Sequence, residues 1–180
     1  MPTEAWVGLF GVLFGSLLTT FGVWLTNRSN TKQLKIKIDH ERQIQQQRQA
    51  KERLEELYIL VSHWLQAMFS NNLHLSLVMK GRTDYNQYLD AVISNGKASG
   101  LDFSRIEMIV NVYGHRLRDA YQSCISAREN VNMVISDHKA AYLAGNAGHV
   151  YLAPFTSAQL ELERACEELR SLIAAEARGA

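Results

Sequence analysis

The chain has 180 residues, a formal net charge of +1 and two cysteines. A charge this close to balance excludes the basic footprint of a nucleic-acid-binding protein. Setting aside the apolar run at the N-terminal end leaves about 150 residues, enough for one domain with its own core.

That run comes first. Residues 6–26 contain no charged residue and no proline. As a helix they rise roughly 31 Å, close to the ~30 Å hydrocarbon thickness of a bilayer. Trp6 and Trp24 stand near its two ends, where tryptophan favours headgroups. A single transmembrane helix is expected. A cleavable signal peptide needs a basic start, a shorter apolar stretch and a small-x-small cleavage site. This chain starts MPTEA, and the TNRSN that follows the run offers no such site. The run lacks Asp, Glu, Lys, Arg and His, which argues against a transporter or a proton relay.

Glycine interrupts the run four times between Gly8 and Gly22, although each one costs a helix about 1 kcal/mol relative to alanine. On a helical wheel Gly8, Gly11, Gly15, Thr19 and Gly22 fall within an arc of roughly 80°, with Phe10, Phe14, Leu17 and Phe21 opposite. Small residues let helix backbones approach in lipid, where hydrophobicity alone drives little association. The stripe is therefore expected to meet a second membrane helix, from another copy of the chain or from a different membrane protein.

The flanks set the orientation. Arg28, Lys32, Lys35, Lys37 and Arg42 follow the run, and no Lys or Arg precedes it. The positive-inside rule places the N-terminus outside and the remainder in the cytoplasm, as a single-pass protein of the cell (inner) membrane. Arg28, Lys32, Lys35 and Lys37 are the candidates for contact with anionic headgroups.

From residue 29 to about 80 one long helix, or two nearly collinear ones, is expected, because neither Pro nor Gly occurs before Gly81. Its first half is polar almost all round and reads as a solvated stalk. A coiled-coil seam through Leu34 and Ile38 loses its apolar character at Glu41 and Gln45. From Leu54 the pattern becomes core-facing, through Leu57, Tyr58, Val61, Trp64, Leu65, Met68 and Phe69. Asp84 can cap a short helix to about Ser94, followed by a loop at residues 95–100. Asp102 or Ser104 opens a helix with the face Ile106, Val110, Tyr113, Leu117, Ala120, Cys124, Ala127, Val131, Val134 and His138, interrupted at Gly114. A loop over residues 145–157 precedes a last helix, capped by Thr156 or Ser157, with the face Leu162, Ala165, Cys166, Leu169, Leu172 and Ile173.

The chemistry is sparse. No Glu-x-x-His or His-Glu-x-x-His occurs among the six histidines, so no metal site is expected. His138, on the apolar seam, reads as a satisfied core histidine, and Cys124 and Cys166 read as reduced core residues. The stretch around Lys97 lacks the Walker A spacing, and no nucleophile motif is present. No cofactor is expected, and no catalytic activity. His149, Tyr151, Leu152 and Phe155 are large or polar residues in the last loop. They tuck over the end of the bundle or, on a sharper reading, dock a cytosolic protein partner.

The chain is thus expected to be all-α. It combines a transmembrane anchor (1–27), a long polar basic juxtamembrane stalk (28–53) and an antiparallel cytoplasmic helical bundle (54–180). The expected function is that of a non-catalytic scaffold or regulatory subunit of a membrane-associated complex. Two rivals stand beside it: a self-assembling effector that perturbs the membrane when triggered, and a ligand-sensing bundle.

Overall fold

The computed structural model describes the backbone of residues 2–99 and 102–179, and the side chains of residues 14–28, 30–94, 96 and 102–179. Five α-helices follow one another: α1 (Pro2–Met79), α2 (Tyr85–Ser99), α3 (Phe103–Val112), α4 (Arg118–Leu143) and α5 (Leu152–Gly179). Single 3-10 turns occupy His115–Leu117 and Gly148–Tyr151. The described residues include no strand, so the chain is all-α. Its residues fall into two compact units, Met1–Gln47 and Arg48–Ala180.

The first unit is the leading part of α1. Its described apolar side chains lie open: Phe14, Leu17, Leu18, Phe21, Val23, Trp24 and Leu25 are each 52–69% exposed. The hydroxyls between them turn back on the helix. Thr19 donates to the Gly15 carbonyl at 2.8 Å, Thr20 to Ser16 at 2.8 Å and Thr26 to Gly22 at 2.9 Å. Among the described residues no helix is long and apolar enough to cross a membrane. Of the expected span 6–26, the described side chains cover 14–26; those of Trp6, Gly8 and Gly11 lie outside them.

The second unit is a helical bundle around one core. From α1 come Leu54, Leu57, Val61, Trp64, Leu75, Val78 and Met79, in a nearly heptad spacing. Ile106, Ile109 and Val110 come from α3, Cys124, Ala127 and Val131 from α4, and Phe155, Leu162, Cys166, Leu169 and Ile173 from α5. A short connection folds α4 and α5 into an antiparallel hairpin. Except for Asn72 and His138, the described buried residues are apolar.

Several boundaries differ from expectation. Phe69 is 55% exposed: it falls one position past the seam that runs through Trp64, Met68 and Leu75. Leu172 is likewise 41% exposed, beside the buried Ile173. Helix α2 continues past Asn95-Gly96 to Ser99, since one glycine in a helix costs only about 1 kcal/mol. The expected helix from Asp102 onward breaks at Gly114 (φ −115°, ψ 44°) and restarts through the 3-10 turn that buries Leu117. At its start Asp102 accepts from the Arg105 amide at 3.0 Å. Helix α5 begins at Leu152, not at Thr156 or Ser157. Pro154 lies in its first turn, where a missing N–H is no loss.

Two helix ends share one device. Gly81 (φ 67°) and Gly145 (φ 73°) take the left-handed conformation that ends α1 and α4. At the first, the Arg82 amide donates to the Leu77 carbonyl at 2.9 Å; at the second, Asn146 donates to Ala141 at 2.9 Å. Both are Schellman closures. They turn the chain toward the same cluster of side chains.

Candidate functional site

The period of α4 carries His138 onto the buried seam, four residues after Val134 and one turn before Tyr142. Its side chain is fully buried. The cluster around it is drawn from separate elements. Asp84 caps α2 by accepting from the Gln87 amide at 2.9 Å, which fixes the first residue of that helix, Tyr85. The Tyr85 ring stacks on His138 at 6.3 Å between centroids, and Tyr142 lies tilted at 6.2 Å. Tyr151, from the turn before α5, forms a T-shaped pair with the imidazole at 5.7 Å. Tyr88 stands behind, 5.3 Å from Tyr85.

The fourth wall is backbone. A Cβ at Gly148 would lie 2.8 Å from His138 Nε2 and 3.2 Å from the Met79 carbonyl oxygen. Only glycine lets the turn close this tightly over the ring. Among the described residues neither Nδ1 nor Nε2 of His138 has a hydrogen-bond partner. His138 is therefore buried, as expected of a seam residue, but it is not satisfied. A buried polar group without a partner costs about 1–3 kcal/mol.

Burial lowers the His138 pKa below its ordinary value, so the ring is neutral at pH 7. Burial raises the pKa of Tyr85; it also raises that of Tyr88, with a further contribution from Tyr85. The result is a neutral imidazole under a glycine lid, walled by aromatic rings. Among the described residues no carboxylate is hydrogen-bonded to the ring as in a general-base dyad.

The residues expected for docking part company here. Phe155 belongs to the core, and Tyr151 and Leu152 are half-buried against it. His149 is exposed, as is Val150 at 61%. Of the expected packing stripe, Gly15, Thr19 and Gly22 are described; a Cβ at Gly15 or Gly22 would meet nothing within 4 Å. Arg28, Lys32, Lys35 and Lys37 are exposed. The Arg28 guanidinium lies 5.4 Å from the Trp24 ring centroid, and Lys37 pairs with Glu41 at 4.0 Å.

Two further arrangements escape a reading by periodicity. Glu56 of α1 accepts from Arg105 of α3 through Nε at 2.7 Å and a terminal nitrogen at 3.0 Å, and from Arg53 at 2.7 Å. Arg170 of α5 donates to the Tyr58 hydroxyl at 2.8 Å while stacking on that ring. Cys124 and Cys166 are buried free thiols. Their mutual hydrogen bond, then burial, push the Cys124 thiol up. Among the described residues no group of three or more His, Cys, Asp or Glu could hold a metal ion.

The cluster around His138 has one trace in the sequence: four of the seven tyrosines fall at 85, 88, 142 and 151. Their convergence is tertiary, set by the two Schellman turns. No family model, no characterised protein and no solved structure matches the chain.

Proposed function

We propose that the chain is a non-catalytic, single-span membrane protein. Its leading helix packs against another membrane helix, and its bundle serves as the scaffold or regulatory part of a membrane-associated complex on the cytoplasmic side. The observation that carries this reading is the open apolar surface of residues 14–25, whose large side chains are each more than half exposed. Such a surface needs lipid or protein around it. The inward-turned hydroxyls of Thr19, Thr20 and Thr26 support the same reading, because polar groups in lipid must be satisfied within the helix. Arg28 over Trp24 is a pairing suited to the headgroup layer.

Gly15 and Gly22 support the partner helix. Neither is required by a positive φ or by a close neighbour within the chain, yet each weakens the helix by about 1 kcal/mol. A closely approaching second backbone accounts for both. The ligand-sensing alternative has less support, because it calls for a polar-lined interior, and the described core is apolar apart from Asn72 and His138.

The test is alkaline carbonate extraction of membranes from cells expressing the full chain, followed by the mass and composition of the complex in mild detergent. Retention in the membrane, with a complex lost in Gly15→Ile, is the expected result. Release by carbonate overturns the anchor. An unchanged complex in Gly15→Ile and Gly22→Ile overturns the packing face. A fixed ratio with a second protein identifies the partner; a pure homo-oligomer assigns the face to a second copy.

A further inference from the structure

We propose that the turn Gly148–Tyr151 is a proton-operated latch: neutral His138 holds it closed, and protonation of that imidazole releases it from the end of the bundle. The inference rests on how the ring is enclosed and is independent of membrane anchoring.

The neutral ring already lacks partners for both nitrogens. Adding a proton creates a buried cation with two donors and no acceptor. The titratable groups that face it are phenols: Tyr85, backed by Tyr88, from α2, Tyr142 from its own helix and Tyr151 from the turn. The end of α1 contributes Met79 backbone. The charged residues of the adjoining segments, Lys80, Arg82, Asp84, Asp137 and Lys139, are exposed, and so is His149. Cation–π attraction needs a cation over a ring face within about 6 Å, which the Tyr85 and Tyr142 rings do not offer, and it supplies no hydrogen-bond acceptor. Tyr151 is T-shaped to the imidazole at 5.7 Å, and the other two centroids lie beyond 6 Å.

The cation can be relieved by admitting water, and the turn is a wall that can open to admit it. It is four residues long and, like the described part of α2, contains no buried residue, whereas α1, α4 and α5 are all tied into the core. It is also the wall directly over Nε2, at Gly148. Opening it hydrates the imidazole, uncovers Tyr151 and leaves the core helices in place.

The direction follows from linkage. The closed form binds the proton more weakly than the open form, in which the histidine returns to its ordinary pKa. Closure is therefore complete above about pH 6.5 and weakens as pH falls, about tenfold per pH unit, until the closed-form pKa is reached.

Hydrogen exchange of the full chain in mild detergent, corrected for intrinsic rates and followed from pH 7.5 to 4.5, tests this. Amides of residues 148–152 are expected to lose protection as pH falls below 6.5, by up to about tenfold per unit, while amides of residues 162–173 change little. His138→Phe and His138→Gln, which cannot take the proton, should abolish the pH response whatever their baseline protection. His149→Gln should keep it. A wild-type turn whose protection is independent of pH overturns the latch without recourse to any variant. A loss spread equally over α4 and α5, or a response that survives in His138→Gln, overturns it as well.

Discussion

Leu57 and Phe69 are both large apolar residues of α1, but only Leu57 is buried; Phe69 is 55% exposed. Truncating Leu57 leaves a cavity among side chains that cannot all collapse into it, so Leu57→Ala should cost about 2–5 kcal/mol. Phe69→Ser removes surface area only and should stay within about 0.5 kcal/mol. Urea unfolding of the full chain in mild detergent, followed by the fluorescence of the buried Trp64, separates the two. Gly148 gives a different residue-scale prediction. Its Cβ would press on His138 Nε2 and on the Met79 backbone, and backbone cannot swing away. Gly148→Ala should therefore cost about 1–3 kcal/mol, the usual range for overpacking. Gly96→Ala, in open space on a helix, should instead be neutral or stabilise by up to about 1 kcal/mol. Thermal melting of both variants checks the contrast.

At the scale of elements, periodicity made most of the bundle legible. The seam from Ile106 to His138 and the face from Leu162 to Ile173 could be read from 3–4 spacing, because burial on one side of a helix imposes that spacing. What it could not resolve were the places where one local rule yields to another. Pro154 marks a loop by composition, yet it fits the first turn of α5. Asn95-Gly96 marks a turn by dipeptide, yet α2 runs through it. Asn72 is buried but invisible to an apolar pattern. The His138 cluster was half legible: the seam foretold burial, but not the unpartnered nitrogens, because Tyr85, Gly148 and Tyr151 come from other elements. For α1 the element-scale prediction concerns insertion. Leu18 is 69% exposed within the proposed span, and an arginine near a span centre costs about 2.5–3.5 kcal/mol of insertion free energy. Leu18→Arg should therefore lower the carbonate-resistant fraction sharply, whereas Leu18→Phe should not.

For the molecule as a whole, the question is what joins elements far apart in sequence, and how that joint responds to acid. Glu56 clasps α3 to α1 through Arg105, 49 residues away, with Arg53 as a second donor. The Arg105 hydrogen bonds, then that of Arg53, hold its carboxyl down at about 2, well below the ordinary 4.5. A carboxylate with a depressed pKa stabilises the fold above its unfolded value, and that stability is lost as pH falls through the folded value. The loss should therefore fall between about pH 4.5 and 2. It lies below the onset of the change expected for His138 near pH 6.5, so the two act in sequence on acidification. The turn begins to loosen first, and the α1–α3 clasp begins to weaken afterward. Because the Glu56 side chain is 31% exposed, solvent screens the pair, and Glu56→Gln should cost no more than about 1 kcal/mol at neutral pH. The telling signature is the pH profile of global stability. Between pH 4.5 and 2 the wild-type curve should fall more steeply than that of Glu56→Gln, and the two should converge at the acid end. His138→Gln should flatten the part of the curve that begins near pH 6.5 and leave the difference between wild type and Glu56→Gln in place. Parallel wild-type and Glu56→Gln profiles throughout would mean that Arg105 and Arg53 hold the carboxylate no more tightly than water does.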